Sequence, residues 1–309
     1  MTDSVRSITP AGVPVDQVTG PESFPHRTDD GLFGPDSVAW KVFIDPSAQI
    51  GMVTAVLLQA LNPAMMRLFD KASNNSKDPS GRAQRTGQWV LTTIFADTAH
   101  AQAAGEAVRR MHAHAKWTDP NTGEELHADT PAWLQWTHNV IVWGVLEAAD
   151  EYGPKLSPAE QDKFVREMHR QAELVGIVAS ELPASRAELN AYVDEQSDWM
   201  ALILPSAEFS GGLRHTPLLG NPLRTLPAAA VQSGIATLMP DWAKLLYGYR
   251  ESRLRRVRSR VVMRAMMAAS RRTTNMDERL RSTIADVDSH PYRKTKEERA
   301  AARAARSAA

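Results

Sequence analysis

The sequence predicts an all-α protein built as one large helical bundle. Signals for the start of a helix recur along the chain, and Ala-rich segments with a 3.6-residue apolar period follow them. Signals for strands are almost absent, because no Asn-Gly or Asp-Gly turn joins alternating β-branched runs. These observations exclude a sandwich, a barrel or a doubly wound α/β fold.

Three helix starts share the same pattern, a capping residue followed by proline. Asp45-Pro46 and Asn62-Pro63 each precede an apolar run, and Thr130-Pro131 opens a helix expected to reach about Tyr152. The capping side chain accepts hydrogen bonds from the first backbone amides, and proline suits the first turn, where its missing N–H has no partner to lose.

Further starts carry a hydroxyl residue with Glu three positions later, as in a capping box. Ser157 with Glu160 and Ser185 with Glu188 both fit. A last core helix is expected after Pro240-Asp241. The stretch from Leu204 to Pro227 has four prolines and a Gly-Gly pair, which predicts a long ordered connection rather than a helix.

Composition limits the chemistry that the chain can use. The 309 residues are 43% hydrophobic, carry no net charge and include no cysteine. Disulfides, thiolate nucleophiles, zinc–thiolate sites and iron–sulfur clusters are therefore excluded, and any metal must be held by His, Tyr or carboxylates. No window of about 18 apolar residues is found, and the first residues lack the apolar region of a secretory signal, so we expect a cytoplasmic protein without a transmembrane segment.

The neutral total hides a strong asymmetry that suggests three regions. Residues 1–34 are rich in Pro and polar residues and read as an extended N-terminal arm, residues 35–249 form the helical domain, and residues 250–309 form a basic C-terminal helix and tail. The last region has 17 Lys and Arg against 7 Asp and Glu, which leaves a charge of −10 on the rest.

The segment from Gly81 to Asn139 carries the residues best suited to a buried site. Arg82, Arg85, Thr86 and Trp89 stand at i, i+3, i+4 and i+7, so they share one stripe of a helix. Two guanidiniums and a hydroxyl could hold the carboxylates of a cofactor or polarise a bound oxygen species. The alternative is a solvated face.

Three histidines lie in apolar helices of this segment. His112 and His114 are two residues apart, so a regular helix points them to different sides and only one can face inward. His112 shares a face with Val108. The helix that carries His138 is apolar around its whole circumference, which predicts a central position in the bundle. His138 is then either a hydrogen-bonded core histidine or part of a site.

Several segments together resemble the superfamily of MpaB-type oxygenases and latex-clearing proteins. They occur in the same order and with similar spacing as in that family, between about residues 33 and 248: LLQALNPAMM, DPSGRAQRTGQWVLTTIFAD, AVRRMHAHAKW, TPAWLQWTHNVIVWGVLEAADEYG, ELPASRAELNAYVDE and LMPDWAKLLYG. No Gly-rich phosphate loop, dinucleotide fingerprint, nucleophile elbow or His-Glu-x-x-His pattern competes with this interpretation.

The resemblance implies an all-α haem-b oxygenase that acts on a hydrophobic small molecule with dioxygen or peroxide. It makes His112 the axial iron ligand, places Arg82 and Thr86 beside the haem as catalytic residues, and makes His138 a residue that lines or braces the pocket. Arg85 stands where the latex-clearing branch has Lys, so the role of that Lys does not transfer. His114 is a rival cofactor-binding residue because the sequence after His112 departs from the family pattern.

The basic C-terminal region leaves a second hypothesis open. A helix from about residue 251 places Leu254, Val257, Val261, Val262 and Met266 on one side, with arginines around the rest. We expect this helix to pack on the acidic domain or to close a homodimer. We expect no nucleic-acid partner. The alternative function is a non-catalytic helical binding protein that attaches to a membrane or nucleic acid through this helix.

Overall fold

A computed structural model of the chain describes residues 27–72, 79–214, 222–249 and 252–308. Within these ranges the chain forms fourteen α-helices and one short pair of strands, which confirms the all-α prediction. The helices are α1 (Val38–Phe43), α2 (Ser47–Gln59), α3 (Pro63–Ala72), α4 (Pro79–Phe95), α5 (Thr98–His114), α6 (Pro131–Tyr152), α7 (Pro158–Leu174), α8 (Arg186–Glu195), α9 (Leu204–Arg214), α10 (Pro222–Leu238), α11 (Asp241–Leu246), α12 (Arg253–Thr273), α13 (Met276–Ser289) and α14 (Lys296–Ala308).

The core is organised around the close packing of α2 against α6. Gly51 and Gly144 face each other at this crossing, because a Cβ built on Gly51 would lie 2.4 Å from the Gly144 carbonyl oxygen. The missing side chains let the two backbones approach. Along α6 nearly every residue from Trp136 to Ala149 is buried, as its apolar circumference predicts.

The capping signals place the helix starts correctly. Asn62 Oδ1 accepts from the Met65 amide at 3.0 Å at the start of α3, and α6 runs from Pro131 to Tyr152 as expected. Ser157 and Glu160 form a capping box at the start of α7. Ser185 caps α8 through the Glu188 amide, whereas the Glu188 carboxylate accepts from Ala184.

The prediction for Leu204 to Pro227 is wrong in its described parts. Residues 204–214 form α9, and α10 begins at Pro222 and runs through Pro227. The physical reason is that Pro205 and Pro222 stand in first turns, where the amides would lack a helical partner in any case. Residues 215–221 lie outside the described structure.

A small hairpin follows α5 and is the only pair of strands in the described ranges. Strand β1 (Lys116–Thr118) pairs antiparallel with β2 (Glu125–His127). Gly123 in the loop has φ 73° and supplies the positive-φ position that the turn requires. Arg67 of α3 holds this hairpin through Asp119 at 2.6 Å and Glu124 at 2.9 Å.

The helix α12 packs on the domain, as expected, but with a different face. Met263 and Met267 are buried in the main core, and Arg271 pairs with Asp45 at 2.7 Å. Of the five residues predicted on one side, Met266 is half-buried against the core, whereas Leu254 is 79% exposed and Val261 60%. The reason is that the methionine face fits against α10 and α6, and the periodicity of α12 contains two apolar faces.

Helices α13 and α14 extend across the outside of α4 and α5. Leu280, Ile284 and Val287 of α13 are buried, and the Tyr292 amide donates to Thr92 of α4 at 3.0 Å. Lys296 at the start of α14 lies 3.4 Å from Glu106 of α5. Both α13 and α14 therefore contact the pair of helices α4 and α5.

No single helix in the described ranges is long and apolar enough to cross a membrane. In the part of the chain that the structure describes, one pair of helices, α2 and α3, has the required length and composition when taken together, with a bend of 96° between them.

Candidate active site

The candidate residues lie on the helical hairpin of α4 and α5. A two-residue connection, Ala96 and Asp97, joins these helices, and they pack against each other. Arg82 stands 13 residues before the end of α4 and His112 stands 14 residues after the start of α5. At 1.5 Å per residue both lie about 20 Å from the connection. The hairpin therefore brings these two positions to the same end of the bundle.

His112 continues the buried stripe of α5, and His114 does not. Ala101, Ala104 and Val108 are buried at i, i+3 and i+7, and His112 follows Val108 by four residues as a half-buried side chain. His114 is exposed, and its Nδ1 lies 2.6 Å from the Arg110 carbonyl oxygen. The imidazole at 112 is thus the one of the two that faces the protein.

One side of α4 faces the protein, and the other side faces solvent. Val90 and Ile94 on its inner side are buried, whereas Arg85 and Thr86 are exposed. Trp89 is half-buried, and its indole N–H is buried without an acceptor among the described residues. The side chain of Arg82 lies outside the described structure, although its backbone belongs to α4.

The end of the α4–α5 pair that carries His112 has apolar neighbours on one side. The chain passes directly from His114 through Ala115 into β1, and the resulting hairpin packs on α3. On α3, Met66 is buried and Met65 is half-buried. Methionine side chains are adaptable and suit a wall that contacts a variable apolar group.

His138 lies in the core on α6 and is only 6% exposed. Burial, together with a smaller contribution from His169 of α7, lowers its pKa to about 3. The imidazole is therefore neutral across the ordinary pH range.

One buried polar cluster escaped the sequence interpretation. His100 is 4% exposed, and its Nδ1 lies 2.6 Å from Asp97 while its Nε2 lies 3.2 Å from Glu298 of α14. Next to it Arg27 donates to the Phe95 carbonyl oxygen at 2.7 Å and pairs with Asp288 at 3.3 Å. The sequence signals one part of this cluster, because Asp97 and His100 stand three residues apart at the start of a helix. It gives no local signal for Glu298, the partner in α14.

The cluster holds the closed end of the hairpin, and the candidate site lies at its open end. Asp29 also contributes here, because its carboxylate accepts from the Thr98 amide at 2.8 Å. Residues just before the main domain and residues at the C-terminus thus converge on the turn between α4 and α5, and they set where both helices point.

Among the described residues no group of three or more His, Asp or Glu side chains could hold a metal ion. A haem iron needs only one or two protein ligands, because the porphyrin supplies four nitrogens. A single histidine ligand is therefore chemically sufficient for a haem, whereas a zinc or di-iron centre would need a larger set.

The fold and these residues define an all-helical protein with a histidine-bearing hairpin as its candidate site. The chain belongs to the family described as ER-bound oxygenase mpaB/B'/Rubber oxygenase, catalytic domain, whose match covers residues 40–272. No curated protein and no solved structure matches the chain.

Membership assigns an oxygenase-type function, and so an enzyme with a substrate and an oxygen co-substrate. The match contains α4, α5, α6 and nearly all of α12, while α13 and α14 lie beyond it. The two last helices are thus additions to the catalytic domain that contact its candidate site helices.

Proposed function

We propose that this protein is a haem-b-dependent oxygenase of a hydrophobic small molecule, with the iron bound by His112. The observation that carries the proposal is the position of His112, which extends the buried stripe of α5 at the open end of the hairpin within the oxygenase domain. Dioxygen, or peroxide, is the co-substrate. A haem b in this place supplies the activation of oxygen, for which no amino-acid side chain suffices.

The residues present fit the donors and acceptors of a haem. A neutral imidazole coordinates iron through one nitrogen and can donate its other N–H to an acceptor that fixes the tautomer. The propionates of haem are carboxylates, and Arg85 stands on α4 three residues after Arg82, near the end of the helix that lies farthest from the connection. The buried indole N–H of Trp89, which lacks an acceptor among the described residues, adds a further donor on this helix.

The other side chains would orient the reaction and exclude water. Thr86 follows Arg85 on α4, and its side chain, which carries a hydroxyl, is exposed. A group bound at this site would cover it. Its O–H can donate a hydrogen bond to an oxygen atom at the site, and the guanidinium of Arg82 can do the same. The methionines of α3 would provide the apolar wall that holds a hydrophobic substrate and keeps the local dielectric low.

A matched pair of variants on α5 tests the iron ligand. The protein is produced in haem-supplemented cells, and its haem is identified as haem b and quantified by the pyridine haemochrome spectrum. We expect one haem per chain in the native protein, nearly complete loss in His112→Ala, and native content in His114→Ala, because only the first residue follows the buried stripe.

The outcomes are distinct. Native protein without stoichiometric haem would overturn the proposed cofactor. Full haem in His112→Ala together with loss in His114→Ala would move the ligand by two residues and contradict the assignment. Oxygen consumption with a panel of apolar hydrocarbons then tests turnover, and a fully loaded protein without any consumption would contradict the oxygenase assignment.

A further inference from the structure

The helix α12 is held in one orientation by its inner face. Met263 is fully buried, and a Cβ built on Gly234 of α10 would lie 2.7 Å from its Cγ. Arg264 pairs with Glu151 at 2.7 Å, and Arg271 pairs with Asp45. These contacts determine which side of α12 faces outward.

The outer face is apolar. Leu254, Val257 and Val261 stand at i, i+3 and i+7 and are 79%, 57% and 60% exposed. They form one stripe about 10 Å long, and Val262 widens it at 38% exposure. Four large apolar side chains on one exposed face of a helix are characteristic of an interaction surface rather than of scattered surface residues.

Arginines surround this stripe, and acidic residues are absent from the helix. The sequence of α12 contains eight arginines and no Asp or Glu. Arg258 is exposed on the stripe itself, and Arg253 is exposed at its start. The outer face therefore combines an apolar centre with positive charge on and around it.

This combination discriminates between kinds of partner. In a symmetric contact between two copies, the arginines of one copy would face those of the other, and like charges across an interface are unfavourable. A nucleic acid would pair with the arginines but would leave the valines and the leucine without a partner. An anionic lipid surface satisfies both, because acyl chains accept the apolar side chains and headgroup phosphates accept the arginines.

We propose that the outer face of α12, formed by Leu254, Val257, Arg258, Val261 and Val262, docks on an anionic lipid surface. The helix lies parallel to that surface and does not cross it. This surface is independent of the haem site, and its test uses no turnover.

The experiment is sedimentation of the full-length protein with vesicles. Vesicles of phosphatidylcholine with phosphatidylserine are compared with vesicles of phosphatidylcholine alone. We expect binding to the anionic vesicles that weakens as salt is raised, and at least a tenfold loss of affinity in the double variant Val257→Ser/Val261→Ser. Arg258→Gln should weaken binding to anionic vesicles as well.

Matched controls come from exposed residues elsewhere. Val178 is 54% exposed between α7 and α8, and Arg293 is exposed between α13 and α14, so Val178→Ser and Arg293→Gln should bind as the native protein does. Thermal unfolding of every variant should match the native protein, because the substituted side chains are exposed.

Three results would overturn the proposal. The first is no difference between anionic and neutral vesicles. The second is native vesicle affinity in Val257→Ser/Val261→Ser. The third is a dimer in light scattering that this double variant dissociates while vesicle binding is absent, since the face would then be a contact between copies.

Discussion

The Nε2 atom of His100, near the start of α5, lies 3.2 Å from a carboxylate oxygen of Glu298 in α14, a residue 198 positions later in the chain. The same ring contacts Asp97 through Nδ1 at 2.6 Å. A nearly buried imidazole between two carboxylates links the C-terminal helix to the turn of the hairpin that carries the candidate site.

The charge of His100 makes the stability of this link depend on pH. The hydrogen bond to Asp97 raises the pKa of His100 against the effect of burial, and Glu298 adds to the rise. A base whose folded pKa is raised contributes stability below its unfolded pKa of about 6.5 and loses it as pH rises through the folded value. We therefore expect the free energy of unfolding, measured by denaturant titration, to fall as the pH rises above about 6 and through the raised pKa of His100.

The carboxylates near His100 affect stability in other pH ranges than the imidazole does. Burial opposes ionisation of Asp97, but hydrogen bonds from His100 prevail and lower its pKa, so its contribution is lost only as pH falls through that lowered value. Burial raises the pKa of Asp288 despite Arg27. The variant His100→Gln should abolish the loss above pH 6 that is assigned to the imidazole. An unchanged pH profile in this variant would contradict the assignment.

A second prediction concerns the crossing of α2 and α6. In Gly144→Ala the new Cβ would lie 2.6 Å from the Gly51 carbonyl oxygen and 3.3 Å from the Cβ of Ala55, so the helices must separate. We expect a loss of about 1–3 kcal/mol in the free energy of unfolding. Gly87→Ala in α4 is the control, because no atom lies within 4 Å of its Cβ, and it should gain up to about 1 kcal/mol through helix propensity. Equal effects in the two variants would show that the close crossing is not responsible.

A third prediction concerns the support that α13 gives to α4. Ile284 is fully buried, and α13 packs on α4, so Ile284→Ala should lower the free energy of unfolding by about 2–5 kcal/mol. Amide hydrogen exchange should also accelerate in α4. Arg281→Ala, an exposed position on the same helix, should change stability by less than about 0.5 kcal/mol. If exchange accelerates only within α13, the helix does not brace the site.

A fourth prediction tests the hydroxyl at the candidate site and rests on the proposed function. Thr86→Val keeps the shape of the side chain and removes the O–H, so the haem content should stay native while kcat falls roughly tenfold, the value of one lost hydrogen bond. Gln84→Ala, also exposed on α4, should retain native kcat. Loss of haem in Thr86→Val would assign the residue to cofactor binding, and native kcat would remove it from the reaction.

Local signals in the sequence account for most helix starts and for the preference for His112. Ser157 and Glu160 satisfy orphan amides at the start of α7 within four residues, so no tertiary information is needed to find this start. At the start of α6 the local signal is Pro131 in the first turn, because the Thr130 hydroxyl donates to the His127 carbonyl oxygen and does not cap the helix. The four-residue step from Val108 to His112 likewise follows from helical periodicity. Pro205 and Pro222 led to the wrong prediction of a connection, because proline is common in loops and also in the first turn of a helix.

The residues alone establish an all-α chain and most of its helix starts, because these depend on patterns within a few turns. They also indicate its family, through the order of several such segments along the chain. The outward face of α12, the meeting of His100 with Glu298 and the docking of α13 on α4 come from the folded arrangement. Helix α12 has two apolar faces, and either could be buried by its hydrophobicity. The face with Met263 is the buried one because its side chain fits beside Gly234. A pairing across 198 residues has no local signature, since it exists only when the helices between its partners are packed.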